Sequence, residues 1–107
     1  GFIGSNFLNK YVPLFPSIHF VNIDALTYAG NLNKLSDEVK QAKNYSFEKI
    51  DIRDIEALRN IYKKYSPTDV IHFAAESHVD NSIRNPRLFT EVNVLGTQNI
   101  IDLHREF

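Results

Sequence analysis

The chain has 107 residues, 43% hydrophobic and 23% charged, the composition of a globular protein no larger than one domain. Twelve Lys and Arg stand against thirteen Asp and Glu, so the formal charge is −1 and nothing pulls the chain toward nucleic acid or an anionic membrane. Cysteine is absent, which excludes disulfides, Cys-ligated zinc, iron–sulfur clusters and a thiol nucleophile, and suits a reducing, cytoplasmic compartment; no apolar run reaches the roughly 20 residues of a membrane helix.

The chain opens on Gly1-Phe2-Ile3-Gly4-Ser5, with no initiator Met, signal-type apolar segment or leading strand. That start reads as the middle of a motif, so a fragment of a larger protein is expected. Ser5 to about Val12 reads as a short helix, with Phe7, Leu8 and Tyr11 on one face, stopped by Pro13 and Pro16. Ile18 to Ile23 is β-branched and aromatic and predicts a strand ending at Asp24. Residues 25–44 are polar and mixed, with a turn signal at Gly30-Asn31 and a short helix around Ser36–Ala42. Tyr45 to Ile50 predicts a second strand. Asp54 to Tyr65 is the clearest amphipathic helix: Asp54 is placed to cap it, Ile55, Leu58, Ile61, Tyr62 and Tyr65 form its apolar stripe, and Ser66-Pro67 closes it. Val70 to Ala75 is a nearly continuous apolar run, as in a parallel strand covered on both faces. A long helix is expected from Pro86 onward, with Leu88, Phe89, Val92, Leu95, Ile100 and Leu103 apolar and Gly96 interrupting it at some cost.

Strands alternating with helices imply βαβ units with right-handed crossovers, hence an α/β, doubly wound parallel sheet. Residues 1–107 are expected to be part of one such domain, a dinucleotide-binding one on the following grounds. Gly1 and Gly4, three apart at a helix start, fit the last two glycines of the turn that cradles a pyrophosphate on a helix N-terminus. Two glycines alone also fit plain turn and packing chemistry. Asp24 stands 20 residues beyond Gly4 at the carboxyl end of a predicted strand, where an acidic side chain would bond the ribose hydroxyls and repel a 2′-phosphate, favouring NAD over NADP. The alternative is an Asp that only ends a strand and starts a turn. Asp51, followed by Ile52, repeats the arrangement at the next strand end and would flank an adenine; taken alone it is a turn residue or helix cap.

The stretch His72-Phe73-Ala74-Ala75-Glu76-Ser77-His78-Val79-Asp80-Asn81-Ser82 passes from a buried strand through small residues into a polar cluster. The carboxyl edge of an open α/β sheet is its ligand side. Ser77 and His78 are sequence neighbours on a loop and do not make a catalytic triad. His78 has no second ligand at zinc-type spacing, so no metal site is expected. His72 reads as a core or supporting histidine.

Three segments resemble the dTDP-glucose 4,6-dehydratases of the extended short-chain dehydrogenase/reductase superfamily: Asp24 to Leu32 (DALTYAGNL), His72 to Ile83 (HFAAESHVDNSI) and Asn93-Val94-Leu95-Gly96-Thr97. The resemblance runs over all 107 residues. It implies a Rossmann-like fold and a tightly held NAD regenerated each turnover. Hydride leaves the sugar C4, water is eliminated across C5 and C6, and hydride returns at C6, turning dTDP-glucose into the 4-keto-6-deoxy sugar. By the same resemblance Gly1, Phe2, Ile3 and Gly4 meet the pyrophosphate, Asp24, Ala25, Leu26 and Thr27 the adenosine ribose, and Asp51 and Ile52 the adenine. Phe73, Ala74, Ala75, Glu76 and Ser77 line the path to nicotinamide, with Ser77 also reaching substrate. The resemblance further implies a homodimer through the 86–107 helix. Two positions depart from the family pattern: Asn81 replaces an Arg, and Val92 replaces a Thr.

The family's catalytic Tyr and Lys stand four apart on a helix. The one such spacing here, Tyr45 to Lys49, falls in a predicted strand, where four residues span roughly 13 Å, and no Thr-Asp-Glu occurs. No catalytic residue is therefore assigned within the chain, and the chemistry is expected beyond residue 107. In a 3-2-1-4 strand order the central first strand would precede residue 1, so residues 1–107 made alone are expected neither to fold stably nor to act. Two other readings stay open: a nucleotide-sugar 4-epimerase of the same superfamily, and a non-catalytic NAD-binding regulator.

Overall fold

A computed structural model describes residues 2–26, 34–73, 86–87 and 91–107. It divides into two compact units, Gly1–Lys49 and Ile50–Phe107.

In the first unit α1 spans Phe2–Leu14 and is followed by β1, Phe20–Asp24, the short α2, Asp37–Lys40, and β2, Tyr45–Lys49. The two strands pair in parallel, with Phe20 opposite Tyr45 and Asp24 opposite Lys49. Strand, helix and parallel strand give the α/β order that the alternating pattern predicts. Leu8, Val12, Leu35 and Val39 form the buried core, with Phe7, Phe20, Ala42 and Tyr45 packed on it. The Phe7 ring lies 4.8 Å from Tyr11 and meets Phe20 edge-on at 6.5 Å. Ser36 caps α2 by accepting the Val39 N–H.

Helix α1 runs past the expected stop: Pro13 lies inside its last turn. Proline there forfeits one hydrogen bond, but the Phe15 N–H still reaches the Tyr11 carbonyl at 3.0 Å, so the turn closes. The freed chain end is tied down by Asn44, whose amide nitrogen lies 2.9, 3.1 and 3.2 Å from the carbonyl oxygens of Val12, Phe15 and Ile18.

In the second unit α3 spans Ile55–Tyr65. The segment Glu91–Gly96 is π-helical and leads directly into α4, Thr97–Glu106. Asp54 caps α3 by accepting the Ala57 N–H, and Ser66 ends it in the left-handed region at φ 48°. The predicted stripe is buried at Leu58, Ile61 and Tyr62, and α3 packs on α4 around Leu103. Arg59 ties the helices together at their surface through Glu106.

Three expectations are corrected here. Val70–Phe73 does not form a strand, and Val70, Ile71 and Phe73 are 42%, 58% and 45% exposed. A continuous apolar run becomes a buried strand only when neighbouring chain covers it. The long helix is not uniformly α-helical, since Glu91–Gly96 takes the wider π turn. Gly96, expected only as a weak point, is buried against Ile52: a Cβ built on it would lie 2.5 Å from the Ile52 Cγ1 and Cδ1. Only a residue without a side chain allows that approach.

Candidate functional site

Asp24 closes β1, so its side chain stands at the carboxyl end of the strand. Its Oδ1 accepts the Leu26 N–H at 2.8 Å, and Leu26 takes φ 54°, a left-handed turn that peels the chain off the sheet. The strand-ending role is thus visible in the turn: one carboxylate oxygen accepts the Leu26 N–H and organises the chain as it leaves the strand. Ala25 and Leu26 follow, both half-buried. Thr27 lies outside the described residues.

Helix α1 begins at Phe2, immediately after Gly1, and Gly4 lies in its first turn. That turn carries no acidic residue, so the helix itself places no negative charge at the positive end of its dipole. Ile3 is 66% exposed. Gly1 itself lies outside the described residues. A helix start whose N–H groups can donate to a diphosphate and a carboxylate that can accept from ribose hydroxyls at the end of the next strand make a set that fits a dinucleotide.

In the second unit Asp51 begins a tight turn, its carbonyl accepting the Asp54 N–H at 2.9 Å. Its carboxylate is gripped by Arg53: the Arg53 N–H and Nε reach Oδ1 at 2.9 and 3.0 Å, and Nε and Nη2 reach Oδ2 at 3.0 and 2.5 Å. These hydrogen bonds hold the Asp51 carboxyl below the usual carboxylate range. Each carboxylate oxygen thus accepts two contacts from Arg53, with the Nε–H shared between them. Arg53 also reaches Glu91 at 3.4 Å. Ile52 is turned inward and 6% exposed, its side chain committed to Gly96 rather than to an open surface.

His72, read from sequence as a core or supporting histidine, is exposed and its Nε2 lies 2.8 Å from the Thr97 hydroxyl. That hydroxyl donates to the Asn93 carbonyl at 2.8 Å within the π-helical segment. Phe73 is 45% exposed; Ala74, Ala75, Glu76 and Ser77, and with them the expected substrate contact, lie outside the described residues, as do His78, Asn81, Leu88 and Phe89. Val92 is half-buried in the π-helical turn. Tyr45 and Lys49 stand at the two ends of β2. The Tyr45 hydroxyl accepts from Asn22 at 3.0 Å, and burial pushes the phenol above its ordinary value, the opposite of what activates a tyrosine base. Among the described residues no cluster of three or more His, Asp or Glu is placed to hold a metal ion, and no helix is long and apolar enough to cross a membrane.

Sequence reading missed Arg53 and Asn99, and of Gly96 it missed the packing against Ile52. Asn99 donates to the carbonyls of Ile52 and Arg53 at 3.0 and 3.2 Å, across 47 and 46 positions of chain. Only Arg53, two residues from Asp51, left a local signal.

Comparison with known proteins places the chain. The profile of the GDP-mannose 4,6 dehydratase family matches residues 1–107. Among similar proteins is the dTDP-glucose 4,6-dehydratase of Salmonella typhimurium, 43% identical over 107 residues, which are all of this chain and 29% of that protein. Among solved structures, the dTDP-glucose 4,6-dehydratase of Streptomyces venezuelae with NAD bound superposes with a TM-score of 0.88 at 38% identity, over 99% of this chain and 33% of that one. The UDP-glucose 4-epimerase of Thermus thermophilus in complex with NAD gives a TM-score of 0.80 at 30% identity, over 99% and 31%. The chain therefore spans under a third of the length of the relatives it matches. The doubly wound α/β class predicted from the alternating pattern is the class of these neighbours, and the chain belongs to the GDP-mannose 4,6 dehydratase family.

Proposed function

We propose that this chain is the NAD-binding part of a dTDP-glucose 4,6-dehydratase. The observation that carries the reading is the identity over its whole length, 43% to a dehydratase of that name, with Asp24 standing at the carboxyl end of β1. The α1 start, with Phe2, Ile3 and Gly4, would hold the diphosphate. Asp24 would hold the adenosine ribose, followed by Ala25, Leu26 and Thr27. Asp51 would accept from the adenine amino group, while Ile52, whose side chain is committed to packing, would offer only backbone there. Phe73 to Ser77 would run toward the nicotinamide, with Ser77 reaching the sugar. Bound NAD would supply the acceptor for the sugar hydride. The residues here bind and orient; the proton-moving groups would come from other parts of the enzyme.

The 4-epimerase reading has support in the shared fold, but the epimerase neighbours given above and others like it are 30% identical or less, against 38% for the dehydratase structure. A homodimer would form through the helical segment that includes α4, where Val94, Leu95 and Ile101 are 59%, 54% and 45% exposed. The cysteine-free composition suits a cytoplasmic enzyme. Incubating the intact protein with dTDP-glucose tests the reading. A 4-keto-6-deoxy product is expected; the 4-epimer would instead establish the epimerase, and no turnover despite NAD binding would establish a regulator.

A further inference from the structure

The turn that carries Asp51 is braced not only by its own residues but by the π-helical segment and α4 of the same unit. Gly96 leaves a seat that Ile52 fills, with a hypothetical Cβ at 2.5 Å from two Ile52 carbons. Three residues on, the Asn99 amide donates to both the Ile52 and the Arg53 carbonyls, at 3.0 and 3.2 Å. Glu91, at the start of the π-helical segment, reaches Arg53 from the same side. Arg53 in turn fixes the plane of the Asp51 carboxylate through both its backbone and its guanidinium. Among the described residues every side-chain contact on Asp51 comes from Arg53, and the backbone of Arg53 is held by Asn99.

We propose that Asn99 is a positioning residue for the adenine end of a dinucleotide: it holds the Asp51–Arg53 turn so that the Asp51 carboxylate faces the 6-amino group of adenine. The inference rests on the cofactor reading above. Its chemistry has a specific consequence. Adenine presents an amino donor at that position, whereas hypoxanthine presents a carbonyl oxygen, which a carboxylate repels. A correctly set turn discriminates between NAD and nicotinamide hypoxanthine dinucleotide; a misplaced turn discriminates less. General loosening of the fold would weaken both dinucleotides alike.

The test uses the intact protein and titrates both dinucleotides into wild type, Asn99→Ala and Asn99→Leu, the last keeping most of the side-chain volume without the donor. Thermal unfolding of each variant is followed alongside. The expected result is cooperative unfolding in all three and a preference for NAD in the wild type that falls by about fivefold in both variants, as for loss of one or two hydrogen bonds. Equal weakening of the two dinucleotides, or an unchanged preference, overturns the inference while leaving the cofactor reading intact. So does failure of both variants to fold, because a clip acting on the turn leaves the α3–α4 core in place. Wild-type protein that takes up neither dinucleotide overturns the cofactor reading and the inference with it.

Discussion

Replacing Gly96 with alanine sets two effects against each other. Helix propensity alone favours alanine by about 1 kcal/mol, because glycine loses more backbone freedom on folding. Packing opposes it: the new methyl would sit 2.5 Å from the Ile52 Cγ1 and Cδ1 and 3.4 Å from its Cβ. Ile52 is 6% exposed, so it has little room to retreat. Forcing a methyl into a filled site costs about 1–3 kcal/mol. The balance is a destabilisation of about 0–2 kcal/mol, read as a lower urea midpoint of the intact protein at unchanged slope. The double variant identifies the cause. Ile52→Ala removes the two close carbons and leaves only the contact at 3.4 Å. Alone it costs about 2–4 kcal/mol, but with Gly96→Ala the added methyl fills part of the gap, so the two effects should fall short of additive by at least about 0.5 kcal/mol. A Gly96→Ala variant that gains about 1 kcal/mol, with no coupling to Ile52, would refute the reasoning.

Other substitutions probe the remaining joints. Asn44→Ala should cost about 1–3 kcal/mol in urea unfolding, since the carbonyls of Val12, Phe15 and Ile18 lose a shared donor. Asp54→Ala should cost about 1 kcal/mol by the same measurement, whereas Asp54→Asn, which keeps a cap acceptor, should cost much less. Asp51 has a depressed carboxyl, so its pairing with Arg53 contributes stability that is complete above the unfolded value of about 3.9 and is lost as pH falls through the folded value. Unfolding followed between pH 5 and 2 should therefore show a shallower acid loss in Asp51→Asn than in wild type.

The parts of the fold legible in the sequence were those whose cause is local. Asp54 caps α3 because the side chain and the N–H it binds are three residues apart, and the α3 stripe follows from helical spacing. The short helix expected around Ser36–Ala42 appears as α2, Asp37–Lys40, capped by Ser36. The segment Val70–Phe73 misled because hydrophobicity records a strand's preference to be covered, while pairing depends on another stretch of chain. Gly96 misled for the same reason: propensity scores it within its own helix, yet its role is set by Ile52, 44 positions earlier. The candidate site divides likewise. Asp24 was visible from its distance to Gly4, whereas the Asn99 clip joins residues that no motif links.

The central claim is that Asp24 reads the ribose of a bound NAD. The Asp24→Asn variant tests it most directly, because the amide oxygen can still accept the Leu26 N–H and keep the turn while the charge is removed. Titrating NAD and NADP into the intact wild type and variant should give a wild type that prefers NAD and a variant whose preference shrinks by about tenfold or more, as the repulsion of a 2′-phosphate disappears. A wild type indifferent to the two dinucleotides, or a variant with the same preference, would contradict the account.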